Sequence, residues 1–458
     1  VNALLIPEID ERLGIGTYLT STSGTGGVIK QSVDDFVVEE VLVDGSKATV
    51  EAAESRALGA SGSRQRYLLC VLVKRNWDTF IAVKNIAQQL GISQGQIRIA
   101  GIKDAKAATA QHLTIEHGLM EDAARVNVKD MELRPVGYVR EPLALYYLLG
   151  NSFTIKITAI QQSAAAVKKQ VAETTRKLEE AGGMPNFFGH QRFGTTRPIT
   201  HLVGKAIVKG DLEEAAMLFL AKPSANEHPD SRQARQELQS TRNFRTALKG
   251  FPKQLRFERL MLTHLADEPD DFAGTFRRLP TRLQVLFVQA YQSFLFNRFL
   301  TLRLRSGFGL SRAEVGDWVV GVERSGLPVV NVAKMVDEGN CTDVNESVKA
   351  GRLRIALPIV GFKQQFSQGA MEQIELQVLE EEGVEPGNFR ADALPELGRR
   401  GGLRAVASPV KDFRLLDVSD RASGECQATL GFTLLRGCYA TVLLREIMKP
   451  VDPVGAGF

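Results

Sequence analysis

Seven consecutive uncharged residues, Tyr67-Leu-Leu-Cys-Val-Leu-Val73, with a cappable amphipathic stretch close behind them, constrain the fold more than any other feature of the chain. A compact apolar run of this kind reads as a buried strand. Asp78 or Thr79 then offers an N-cap for a helix through Leu90, and Gly91 offers its stop. The alternation continues downstream. Residues 112–116 are strand-like, and residues 151–160 place Phe153, Ile155 and Ile157 between polar neighbours, as a half-buried strand does. Residues 163–181 read as a helix, stopped by Gly182-Gly183 with Pro185 just beyond. The first 200 residues are therefore predicted to be α/β or α+β. Residues 53–63, rich in Ala, Gly and Ser, read as a loop insertion.

From about residue 196 to 398 the texture changes to more helix. It includes a basic stretch, residues 231–260, with a net charge of +6 from Arg232, Arg235, Arg242, Arg245, Lys249, Lys253, Arg256 and Arg259 against Glu237 and Glu258. Such a stretch is either a solvated helical face or a surface that tracks phosphates. Strand-like runs return at 415–418, 428–435 and 439–444. The simplest organisation is a domain interrupted by an insertion and completed by the C-terminus. At 458 residues there is room for several cores. A net charge of +4 leans only mildly toward polyanions. Four scattered cysteines with no C-x-x-C pair argue against zinc and a disulfide framework, and fit a reducing cytosol. No apolar run is long enough to span a membrane, and no signal-peptide pattern is evident. Gly24-Thr-Gly-Gly27 precedes a strand-like run, so it reads as a flexible turn and a poor phosphate loop.

Three segments carry candidate chemistry. In Ala100-Gly-Ile-Lys-Asp-Ala-Lys-Ala-Ala-Thr-Ala-Gln111, Asp104 lies between Lys103 and Lys106, cations that favour an ionised carboxyl group. A positioned carboxylate can act as nucleophile or base. The same residues could equally begin an Ala-rich helix with Asp104 as its cap. In residues 186–194, Asn-Phe-Phe-Gly-His-Gln-Arg-Phe-Gly, aromatic rings with Gln191 and Arg192 could hold a nucleotide, or the Phe cluster could simply fasten two elements. Gly150-Asn151-Ser152-Phe153 is a turn-like entry into a strand.

Taken together these segments resemble the TruD class of tRNA pseudouridine synthases, in particular its longer archaeal and eukaryotic branch. The likeness rests on Ile29-Lys30 with residues 35–39, on residues 100–111, on Gly150-Asn151-x-Phe153 and on residues 186–194. Residues 289–297 and the ending, Phe432-x-Leu-x-x-Gly437-x-Tyr-Ala-Thr-x-Leu-Leu-Arg445-Glu446-x-x-Lys449, are similar too. Ile102, Val33, Asp34 and Ser152 depart from the usual pattern without removing the presumed catalytic group.

The resemblance implies an α/β (α+β) pseudouridine synthase catalytic domain with a mixed antiparallel sheet. Its two parts, 1–200 and 399–458, would be interrupted by a mixed α/β insertion domain at 201–398. It implies isomerisation of a tRNA uridine in the cytoplasm, uridine-13 by family preference, without cofactor or metal; nothing resembles a dimerisation coiled coil, so a monomer is the default expectation. Asp104 would be the essential aspartate. Lys30 would hold it ionised and oriented, with Lys103 beside it. Phe36 and Phe153 would wall the pocket, and Asn151 would hydrogen-bond the base or Asp104. Asn186, Phe187, Gln191, Arg192 and Phe193 would shape the neighbouring surface and contact RNA. The insertion's basic stretch would meet tRNA phosphates. A tRNA-binding or tRNA-folding protein with lost or secondary synthase activity is the alternative.

Overall fold

A computed structural model describes residues 5–52, 57–421 and 424–458; part of the Ala/Gly/Ser-rich loop, residues 53–56, lies outside them. Fourteen strands are formed among the described residues. They are β1 Phe36–Leu42, β2 Tyr67–Arg75, β3 Ile97–Ile99, β4 Ala108–Glu116, β5 Met131–Val139, β6 Leu148–Ile160, β7 Met184–Pro185, β8 Trp318–Val322, β9 Pro328–Met335, β10 Leu353–Ile359, β11 Gly402–Ala405, β12 Ala407–Ser408, β13 Val410–Asp420 and β14 Cys426–Leu435. The helices comprise α1 Glu8–Arg12, α2 Thr79–Leu90, α3 Met120–Ala124, α4 Ala164–Glu180, α5 Thr200–Val208, α6 Leu212–Ala221 and α7 Pro229–Thr241. After them come α8 Phe244–Gly250, α9 Arg256–Asp267, α10 Phe272–Arg277, α11 Thr281–Arg305, α12 Cys341–Lys349, α13 Gly369–Glu382 and α14 Ala440–Met448.

The main sheet runs β13-β14-β6-β1-β4-β2-β5, with β3 also on β4. It is mixed: β1 pairs parallel with β4, and every other neighbour is antiparallel. The apolar run of β2 is buried at every position from Leu68 to Lys74 because β4 and β5 flank it and α2 covers it. Asp78 caps α2 by accepting from the backbone N–H of Phe80 and Ile81, and Gly91 ends it in the left-handed region. The α/β alternation of the sequence thus produces a strand–helix–strand layer.

The C-terminal part completes this sheet. β14 pairs along β6, and α4 and α14 pack Val167, Val171, Leu443, Leu444 and Ile447 over their shared face. Residues 439–444, expected to be a strand, instead open α14. A short apolar run fits a buried helix as well as a strand, and here every residue of the helix is buried. The Gly24–Gly27 turn is not loose either. Thr25 and Gly26 donate backbone N–H bonds to the last carbonyls of α14, those of Ile447 and Met448.

Between the two parts, α5 to α13 gather around α11, whose long buried face carries Phe287, Tyr291, Phe296 and Phe299. A second sheet, β11-β10-β8-β9, joins this core. Its strand β11 runs past the expected boundary at 398. The basic stretch, spread over α7 to α9, is largely committed to this domain's own structure. Arg235 is fully buried and holds Glu227 (2.9 Å) and Glu258 (2.7 Å). Arg242 pairs with Glu213, and Arg232, Arg245 and Arg259 cap backbone carbonyls. The buried Arg235 is thereby removed from the expected phosphate-tracking surface, while Arg242, Arg245, Lys249, Lys253 and Arg256 stay exposed.

Candidate active site

Residues 100–107 form a clamped loop at the edge of β4, with no helix after Asp104; the capping alternative fails because Ala108–Glu116 is a buried central strand whose small residues fit between layers. Each motif residue has a mechanical task. Gln111 Nε2 donates to the Gly101 carbonyl at 3.0 Å. Thr79, at the start of α2, exchanges two hydrogen bonds of 3.2 Å with the backbone of Lys103. Lys74, the buried lysine near the end of β2, donates to the carbonyls of Trp77 and Asp104, both at 2.8 Å.

Lys103 does not face Asp104. It turns inward onto Glu40 of β1 at 2.7 Å, and Glu40 also accepts from the backbone N–H of His112. Burial alone would push the Glu40 carboxyl up, but Lys103 and His112 outweigh it and hold that carboxyl below its ordinary range. Lys106 is exposed. Lys30 and Lys74 both feel the charge of the Asp104 carboxylate. Lys30 has a left-handed backbone (φ 60°), and its ammonium lies 4.5 Å from the centre of the Phe36 ring. Burial lowers the pKa of both lysines, that of Lys74 to about 8, against the opposing pull of Asp104. The Asp104 carboxylate has no hydrogen-bond or ion-pair partner among the described residues.

Asp104 opens onto a cavity of about 400 Å³. Phe36, Lys103, Asn151 and Phe153 line it on the β1–β6 side, and Gln191, Arg436, Tyr439 and Thr441 line it opposite. Phe153 stacks on Phe432 with ring centres 5.3 Å apart and meets the edge of Phe36 at 6.2 Å. Asn151 Oδ1 is buried and has no hydrogen-bond partner among the described residues. Its place is fixed by Gly150, where a Cβ would lie 2.0 Å from the Leu434 carbonyl of β14.

Other expected site residues go elsewhere. Phe187 and Phe193 are fully buried in the core around α11, so they cannot touch a substrate; for them the fastening reading holds. Buried Asn186 bonds the Ala405 carbonyl and the Arg404 guanidinium. Arg192 reaches across to Ser293 and Gln289 of α11. Asn297, from the 289–297 segment, clamps the backbone N–H and carbonyl of Phe188. Sequence reasoning missed Lys74, Glu40, Arg436, Tyr439 and Thr441. A lysine directly continuing an apolar strand was the available signal for Lys74.

Among the described residues only His264, Glu268 and Asp271 come together like metal ligands. They sit at α9–α10, where Asp271 already accepts from His264 (2.8 Å) and caps Gly274 (2.8 Å). No helix among the described residues is long and apolar enough to cross a membrane, and all four cysteines are unpaired.

A mixed sheet thus carries the Asp104 loop against a cavity closed by the segment that joins the chain's last strand to its last helix. The sequence matches the family described as tRNA pseudouridine synthase D (TruD) over residues 12–447. A protein of Methanococcoides burtonii named "Probable tRNA pseudouridine synthase D" is 36% identical over 98% of this chain and 99% of its own. One of Methanosarcina acetivorans with the same name is 38% identical over 98% of each. The crystal structure of the TruD protein of Methanosarcina mazei superposes with a TM-score of 0.82 at 36% identity, covering 98% of this chain and 99% of that one. The chain belongs to the TruD family of tRNA pseudouridine synthases, enzymes of the isomerase class.

Proposed function

We propose that this enzyme isomerises one uridine of tRNA, uridine-13 by the family's preference, with Asp104 as the essential carboxylate. The observation that carries the reading is the pairing, in one cavity, of an unpartnered carboxylate with a buried, unsatisfied amide oxygen, Asn151 Oδ1. Uracil offers the matching donor at N3–H. With Asn151 holding that edge, Phe36 and Phe153 present apolar surface to the ring, and Asp104 faces the ribose. The N1–C1′ bond breaks, the freed uracil turns, and C5–C1′ forms; the C5 proton is lost and N1 gains one. Asp104 either attacks as nucleophile or removes a sugar proton to give a glycal. Lys30 and the Lys74-braced loop keep its carboxylate in place for either role. Extracting the base from the tRNA costs a few kcal/mol, which stacking of about 1–3 kcal/mol per base offsets.

The test is pseudouridine mapping on unmodified tRNA transcripts with wild type and Asp104→Asn, without added cofactor. Site-specific product from wild type, absent in the variant while tRNA binding persists, is the expected result. Tight binding by wild type without product on a full tRNA set would overturn the reading in favour of an RNA-binding role.

A further inference from the structure

A second cavity, about 250 Å³, lies where β9, β10 and β11 of the second sheet meet the end of β14. Arg436 and Cys438 line both this cavity and the Asp104 pocket, so the two hollows adjoin. Its charged lining is Arg354, Arg404 and Arg436, with no acidic residue among them. Arg404 donates to the Asn186 carbonyl (3.0 Å), Asn186 Oδ1 (2.7 Å) and the Gly437 carbonyl (2.8 Å). Arg436 donates to the carbonyls of Leu145 and Leu148. Those bonds fix the two guanidinium groups without neutralising either. Arg354, half-buried on β10, has no hydrogen-bond or ion-pair partner among the described residues. Burial holds Arg354 and Arg404 below the ordinary arginine range. Cations withdrawn from water without a counter-charge are costly, and an anion entering beside them relieves that cost. The remaining walls are apolar, among them Phe188, whose ring lies 4.0 Å under the Arg404 guanidinium, and Val330.

We infer that this three-arginine cavity receives the nucleotide adjacent to the target uridine on the same RNA strand, with Arg354 contacting its phosphate. Continuity with the Asp104 pocket selects this occupant over an unrelated anion, and the inference rests on the reading of that pocket as the uridine site. Arg354 would act as a specificity and positioning residue, setting how the strand enters and leaves the point of chemistry.

The test uses the full-length enzyme and tRNA-derived RNA substrates in which each phosphate flanking the target uridine is replaced, one at a time, by a neutral methylphosphonate. For wild type, one replacement should raise KM about tenfold, and Arg354→Gln should raise KM similarly on the unmodified substrate. The two changes together should add nothing further. The salt slope of binding should fall by about 1 in Arg354→Gln. Arg354→Lys should keep most of the slope, and it serves as the informative variant if the Gln form folds poorly. Wild-type KM, slope and linkage sensitivity in Arg354→Gln would overturn the inference while leaving the uridine reading intact. So would inhibition by inorganic phosphate that Arg354→Gln abolishes while linkage sensitivity stays, since the occupant would then be a free anion. Absence of pseudouridine from wild type would overturn the uridine reading, and this inference with it.

Discussion

Asn151 carries an acceptor that no group among the described residues satisfies, and an unsatisfied buried polar atom costs about 1–3 kcal/mol. Asn151→Ala should therefore leave Tm unchanged or higher while kcat/KM falls roughly 10- to 100-fold. Measuring both on one preparation decides the matter; a lower Tm with unchanged kcat/KM would make Asn151 a structural residue. Lys74 supplies a second prediction. Its ammonium braces the Asp104 carbonyl and has a pKa pushed down to about 8 by burial. Deprotonation removes positive charge facing Asp104, so kcat/KM should decline as pH rises through about 8. Lys74→Met should be slower and lack that limb. The Asp104 loop stood out in the sequence because its surrounding motif is distinctive. Lys30 was expected beside it, but Lys74 was not, because adjacency along the chain pointed to Lys103 and Lys106, whereas the pairing of β2 with β4 brings in Lys74.

Among the elements, β6 matters most, since its two ladders hold Asn151 and Phe153 between β1 and β14. Gly150 lets β14 approach, and its register shift against β1 at Val41/Leu42 turns the strand's entrance. Gly150→Ala should push β14 away, costing about 1–3 kcal/mol by overpacking and lowering both Tm and kcat. Retained kcat with a lower Tm would show that the pocket tolerates the shift. Elements with explicit punctuation were readable: α2 between Asp78 and Gly91, α4 between Ser163 and Gly182. The α14 segment was not, because a helix buried on all sides shows no polar face from which to read a period. Phe187 and Phe193 were equally opaque, since an aromatic for stacking and an aromatic for packing look identical in a sequence.

At the scale of the whole molecule, residues 10–22 strap the two halves together. Asp10 is buried against Arg445 (2.5 Å) and His190 (2.7 Å), and Arg445 also holds the carbonyls of Thr17 and Ile15. On the other side, Thr301 of α11 bonds Gly14 and Gly16. Burial pushes the Asp10 carboxyl up, yet the bond from His190 and the charge of Arg445 leave it below its ordinary range. Its contribution is accordingly present above the usual carboxylate range and lost as pH falls through the depressed value. Asp10→Ala should remove on the order of 3–5 kcal/mol by stranding Arg445, and should split a single thermal transition into two. Calorimetry showing one unshifted transition would remove the strap's role. The change of texture that suggested an interruption near residue 196 was visible in the sequence. The burial of Arg235 was not, because a charge pattern cannot show which carboxylates fold against it. The same interruption has a consequence during synthesis. β6 is complete at Ile160, but its partner β14 begins at Cys426, so a ribosome working at about 5–20 residues per second leaves that edge without its partner for roughly 15–50 s. A nascent chain can therefore hold Asp104 in its loop long before it has a pocket. Until then the open edge is a template for pairing with another chain.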